Sequence, residues 1–171
     1  MDNIVLIGMP GCGKSSVGIQ LAQLLDMAFV DTDDVLQAQQ GNKLQPLIEE
    51  HGIDAFLAME EACVAGLSCA HSVIATGGSV VYGPKAMRHL HACGTVVYIK
   101  LPFDVIEQRL SNLATRGVTL RPGQTLLDLY NERIPLYERE ADIVFEADNV
   151  PVEKTAELLA SRLADGADNG R

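Results

Sequence analysis

An α/β fold, with a mainly parallel sheet covered on both faces, is what this chain predicts, and three features predict it. Short apolar, β-branched runs alternate with segments of helical periodicity along the whole length. The first run ends in a glycine-rich loop that leads into a helical pattern. The 171 residues suffice for one domain with a sizeable core, and no repeat, low-complexity stretch or linker divides them.

The elements follow in order. "NIVLIG" (3–8) reads as a buried parallel strand ended by glycine. "KSSVGIQLAQLLD" places Val17, Leu21, Leu24 and Leu25 at helical spacing, and "MAFVDTD" (27–33) is a second strand with an acidic end. The stretch from Gln45 to Cys69 predicts helix in two pieces, broken near Gly52, with Phe56, Met59, Cys63 and Leu67 as its apolar stripe. "SVIATGGSVV" (72–81) and "GTVVYIKL" (94–101) are further strands, and "PFDVIEQRLSNL" a helix. "ATRGVTLRPGQ" (114–124) is basic and rich in breakers, hence a loop. Thr125 and Asp128 form a capping pattern at the head of another helix, despite Pro135. "DIVFEA" is a last short strand, followed by a helix with Pro151 in its first turn. The domain is expected over 1–163, with 164–171 as a disordered tail.

Composition narrows the function. Apolar residues make up 47% and charged residues 21%, ordinary for a soluble globular protein, and no stretch approaches the length of a membrane span. The formal charge of −10 argues against nucleic acid, which draws on clustered Lys and Arg. Cys12, Cys63, Cys69 and Cys93 form no CxxC pair, so reduced thiols in a cytoplasmic protein are expected. Cys12, close to Lys14, is the thiol whose reactivity could differ from a buried hydrophobe's. A monomer with a small-molecule partner is expected.

Residues 8–15, "GMPGCGKS", fit G-x-x-x-x-G-K-S without a mismatch. Gly11, Cys12, Gly13, Lys14, Ser15 and Ser16 can then turn backbone N–H groups around an anion, at the N-terminus of the next helix. Lys14 can reach the β- and γ-phosphates, and the Ser15 hydroxyl can bind Mg²⁺. The ligands predicted are therefore a nucleoside triphosphate, ATP, and magnesium. Asp31 and Asp33, at the carboxyl end of the second strand, are candidates to assist the metal and to take a substrate proton. Asp34 is the expected helix N-cap. "TGGS" contributes Gly77, Gly78 and Ser79 as a second backbone site, or else a tight turn. Arg116 and Arg121 lie on the basic loop, which could close over phosphates, and Arg133 could grip a carboxylate. His51, His71, His89 and His91 show no metal spacing.

The P-loop, "FVDTD", the Phe-and-Glu pair in "FLAME", "TGG", "LRP" and "ERIPLY" together resemble the shikimate kinase family over roughly residues 3 to 163. The resemblance implies a P-loop kinase with a five-stranded parallel sheet and a mobile lid, here about 110–124, that transfers the γ-phosphoryl of ATP to a ring hydroxyl with Mg²⁺. It implies Lys14, Asp33 and Arg121 as catalytic residues, with Ser15 and Asp31 at the metal. Arg109 or Arg116 and the turn at Pro151 would flank adenine. Gly77 and Gly78 would contact the acceptor, and Arg133 would bind its carboxylate.

Two departures bear on the acceptor. The family's Phe-Arg-x-x-Glu reads Phe56-Leu57-Ala58-Met59-Glu60 here, and its glycine triplet is Gly77-Gly78-Ser79. Losing one partner of a buried charged hydrogen bond costs roughly 2–5 kcal/mol, about 30-fold or more in affinity. Glu60 loses the cation one turn back on its helix. Shikimate is the first expectation for the acceptor. Homoserine, or a similar hydroxy-amino acid with an ammonium for Glu60, is the alternative. A nucleotide-binding regulator or inactive kinase, and a nucleoside monophosphate kinase, are further alternatives. Retention of the acceptor-side set disfavours the first, and the shortage of basic contacts the second.

Overall fold

The computed structural model describes residues 2–111 and 118–168. Five strands, β1 (Asn3–Ile7), β2 (Ala28–Asp31), β3 (Ser72–Ala75), β4 (Gly94–Lys100) and β5 (Ile143–Glu146), form one parallel sheet in the order β2-β3-β1-β4-β5. Val5 lies opposite Ile74 of β3 on one side and Val96 of β4 on the other. Every residue of β1 is buried, and successive side chains point to opposite faces, so both faces of the central strand are covered.

The covering helices are α1 (Lys14–Leu25), α2 (Thr32–Gln40), α3 (Leu44–His51), α4 (Ile53–Ala65), α5 (Pro84–Cys93), α6 (Phe103–Ser111), α7 (Leu126–Glu140) and α8 (Val152–Asp168). α1 packs on α8, and α4 on α5. The chain leaves β1 for one side of the sheet and comes back to build β4 on the other. That reversal opens a crevice past the carboxyl ends of β1 and β3, where ligands bind in open α/β sheets.

Gly52, at φ 82°, joins α3 to α4 and is the predicted break between two helical pieces. The Thr125–Asp128 capping box is present at the start of α7, with both reciprocal hydrogen bonds.

Several expectations are corrected. The strand expected over 72–81 ends at Ala75; the glycine pair turns the chain into a short 3₁₀ turn, Val80–Tyr82. Residues 84–93, to which the sequence patterns assign no element, form α5, with Pro84 at its first position and Ala86, Met87 and Leu90 buried at helical spacing. Asp31, not Asp34, caps α2, because its carboxylate accepts from the Asp33 N–H and the helix starts earlier, at Thr32. α8 continues to Asp168, past the expected boundary at 163, on an alanine- and leucine-rich run that holds the helix even through Gly166. Among the described residues, no helix is long and apolar enough to cross a membrane.

Candidate active site

β1 delivers the chain directly into the phosphate loop, and α1 begins at Lys14 immediately after it. Gly13 caps α1 at φ 96°, a left-handed conformation that any residue with a Cβ would resist. The loop thus ends on the positive end of the α1 dipole, where an anion is favoured. Lys14 is 8% exposed, and its Nζ donates to the Gly8 and Met9 carbonyls at 2.7 and 2.9 Å. Ser15 Oγ donates to Asp31 Oδ2 at 2.7 Å, while Asp31 Oδ1 holds the start of α2. A hydroxyl and a carboxylate therefore stand together beside the loop. This is the oxygen donor set that magnesium prefers, sharing its remaining positions with water and phosphate.

A cleft of about 440 Å³ runs from this loop to the acceptor side. Gly11, Gly13, Lys14, Ser15 and Ser16 line one end, with Arg109, whose Nη1 donates to the Gly11 carbonyl at 3.0 Å. Asp33, Glu60, Gly77, Gly78 and Ser79 line the other. Burial in the first place, and the neighbouring Asp31 charge in the second, push the Asp33 carboxyl up to about 6 against the pull of Lys14. Glu60 is 4% exposed and accepts from Ser79 Oγ at 2.7 Å. Burial raises its carboxyl to about 7, Asp33 adds to this, and the Ser79 hydrogen bond, Arg133 and Lys14 oppose it. The two carboxylates converge over Gly77. A Cβ there would overlap Glu60 Oε2 and come within 2.8 Å of Asp33 Oδ1.

Arg133, on α7, is 1% exposed. Its Nη2 donates to Thr119 Oγ1 at 2.7 Å and its Nε to the Tyr82 hydroxyl at 3.3 Å, with the guanidinium 5.3 Å from the Tyr82 ring centre. Nη1 stands 2.9 Å from the point a Cβ on Gly78 would occupy, so the absence of that side chain brings the guanidinium up behind the cleft floor. Among the described residues, its hydrogen-bond partners are hydroxyls and not carboxylates. A guanidinium keeps its charge when buried.

Not every candidate meets the site as expected. Arg121 does not line the cleft: its Nη2 pairs with Asp54 Oδ1 at 2.7 Å on the exposed first turn of α4. Arg116 and part of the expected lid lie outside the described residues. Cys12 lends its backbone to the loop, but its side chain is 3% exposed and packed in the core, a small hydrophobe and not an accessible thiol. Pro151 is exposed just before α8, and Val152 lines the cleft in its place. The Gly77 N–H donates to Thr32 Oγ1 at 3.3 Å and the Gly78 carbonyl accepts from the Tyr137 hydroxyl at 2.5 Å. These are internal bonds, so the glycines shape the floor by lacking side chains. Tyr82 and Thr119 are hydroxyls that no motif singles out, while Thr32 and Tyr137 stand inside "FVDTD" and "ERIPLY" with no local signal of the contacts they make. Arg88 is exposed on α5 and does not line the cleft.

The shikimate kinase family model matches residues 10–164. A shikimate kinase of Pasteurella multocida is 36% identical, with 98% of this chain and 95% of the relative covered. The solved shikimate kinase of Acinetobacter baumannii, in complex with shikimate, superposes with a TM-score of 0.89 at 29% identity, covering 97% of this chain and 94% of that one. That of Aquifex aeolicus gives 0.80 at 29% identity, covering 98% and 99%. The homoserine alternative finds no support in these relatives. The regulator and nucleoside monophosphate kinase readings give way to a small-molecule kinase that moves a phosphoryl group from ATP to an alcohol. With its phosphate loop, its acceptor-side carboxylates and its match from residue 10 to 164, this chain belongs to the shikimate kinase family.

Proposed function

We propose that this protein phosphorylates a hydroxyl of shikimate with ATP and Mg²⁺. The observation that carries the reading is one cleft that joins the phosphate loop to Asp33, with a buried guanidinium behind its Gly78 floor that has no carboxylate partner among the described residues. Arg133 would take the shikimate carboxylate, which fixes the ring and turns a hydroxyl toward Asp33.

Asp33 would accept the hydroxyl proton as the acceptor oxygen attacks. A carboxylate raised to about 6 is a stronger base than a free one and is still ionised at neutral pH. The N–H groups of residues 11–16 would hold the β- and γ-phosphates, and Lys14 would leave the Gly8 and Met9 carbonyls to meet the charge that develops on them. Magnesium, held through the Ser15 hydroxyl with Asp31 behind it, would supply charge neutralisation at the phosphates. Arg109 would flank the nucleotide beside Gly11. Arg121 would have to exchange Asp54 for the phosphates to serve as a lid arginine, an exchange whose cost is small because exposed ion pairs contribute little.

ADP release by the full chain with ATP and Mg²⁺, titrated with shikimate, tests the reading. Saturable, shikimate-dependent turnover is expected. ATP turnover that shikimate does not change would overturn it.

A further inference from the structure

Glu60 has one carboxylate oxygen more than its surroundings use. Oε1 accepts from Ser79 Oγ, while among the described residues no donor meets Oε2, which lines the cleft over Gly77 beside Asp33. The two cations whose field reaches Glu60 are engaged elsewhere: Lys14 on loop carbonyls, Arg133 on Thr119 and Tyr82. One turn back on α4 stands Leu57, and there a cavity of about 220 Å³ opens, bounded by Asp54, Leu57, Glu60 and Tyr82. A buried carboxylate in such a place either keeps a proton or takes a cation from the ligand. Burial and the Asp33 charge favour the proton, and the Ser79 hydrogen bond and the fields of Arg133 and Lys14 favour the charge.

The charge count indicates what the ligand can bring. With both carboxylates ionised, Asp33 and Glu60 outnumber Arg133 by one negative charge, and Lys14, whose field reaches both, is committed to the phosphate loop. A monoanionic acid satisfies Arg133 and adds to that excess, leaving Glu60 to protonate. A zwitterion satisfies Arg133 and Glu60 together.

We propose that Glu60 is a specificity-determining residue through which this site also takes a short hydroxy-α-amino acid, its ammonium on Glu60 Oε2, its carboxylate toward Arg133 and its hydroxyl at Asp33. The step is unchanged. The hydroxyl oxygen bonds to the γ-phosphorus, the bond from that phosphorus to the bridging oxygen breaks, ADP leaves with the electron pair, and the proton goes to Asp33. The inference rests on the kinase reading above and concerns its acceptor alone.

The test is ADP release with ATP and Mg²⁺, using L-homoserine and shikimate as probes, for the wild type, Glu60→Gln and Leu57→Arg. Saturable homoserine turnover by the wild type is expected, and each variant should lower kcat/KM for homoserine about tenfold or more relative to shikimate. Leu57→Arg acts by supplying Glu60 with an internal partner, Glu60→Gln by removing its charge, so either alone suffices if the other fails to fold. Shikimate turnover without homoserine turnover overturns the inference and leaves the kinase reading standing. Equal effects on both probes also overturn it, because Glu60 would then be merely structural. Homoserine turnover without shikimate turnover upholds the inference and removes shikimate as the acceptor. Turnover of neither removes both.

Discussion

The two ends of the cleft are built in opposite ways. The donor end is built around a single stretch of chain, residues 8–16, whose lysine and serine follow one another at the start of α1, with Asp31 and Arg109 added to it from β2 and α6. The acceptor end is assembled from α2, α4, the turn after β3 and α7, so that Asp33, Glu60, Gly77, Gly78 and Arg133 meet through tertiary packing. A contiguous site tolerates little change, because the backbone, lysine and serine that serve one anion are fixed by their spacing. A site assembled from distant elements can change one contributor and keep the rest. Leu57, where the resemblance implies an arginine, stands at such a position.

The same contrast decides what was legible in the sequence. The loop is recognisable because its spacing is its geometry, and the buried strands are recognisable because parallel strands read as continuous apolar runs. The capping box of α7 is likewise local. α5 had its signals, Pro84 at the start and Ala86, Met87 and Leu90 on one face, yet its polar composition masks them. Asp33 and Arg133 could be singled out by residue type and by resemblance, but nothing in the sequence places Thr119 and Tyr82 against Arg133, or turns Arg121 to Asp54. Those contacts span gaps of 14, 51 and 67 residues, which no local pattern encodes.

The largest effect should come where the two ends meet. Asp33→Asn removes the base and should lower kcat about 10²–10⁴-fold. The ATP dissociation constant, measured by calorimetry, should stay close to the wild type's, since Asp33 belongs to the acceptor end. Lys14→Ala should lower kcat about 10²–10³-fold, by the same factor whichever acceptor is used. A loss that depended on the acceptor would break the division between the two ends. Arg133→Gln should raise the acceptor KM about 30-fold or more while leaving ATP affinity nearly unchanged.

The pH profile sharpens the division further. Asp33 must be ionised to accept a proton, and its carboxyl is raised to about 6 by burial and by Asp31. Acceptor kcat/KM should therefore fall about tenfold per unit as the pH drops below 6. Nucleotide binding to the loop should not follow the same curve. A profile that was flat down to pH 5 would remove Asp33 as the base.

The smallest effect is on stability, and it separates the ends without any substrate. Folding raises Glu60 from its unfolded 4.5 to about 7, chiefly by burial. Between those values the native protein holds a proton that the unfolded chain has released. Stability is thus greatest below pH 4.5 as far as this group is concerned, and declines as the pH rises toward 7. The loss corresponds to about 3 kcal/mol once Glu60 is fully ionised. Glu60→Gln has no proton to lose, so its melting temperature relative to the wild type should climb between pH 5 and pH 8, by roughly 2–4 °C per kcal/mol. Asp33→Asn should shrink that climb, because the Asp33 charge contributes to holding the Glu60 proton in place. Lys14→Ala should not shrink it, since the lysine field favours ionised Glu60 and its removal can only raise the carboxyl further. A melting difference independent of pH would mean that Glu60 is already paired in the native state, and the acceptor end would then be as self-contained as the donor end.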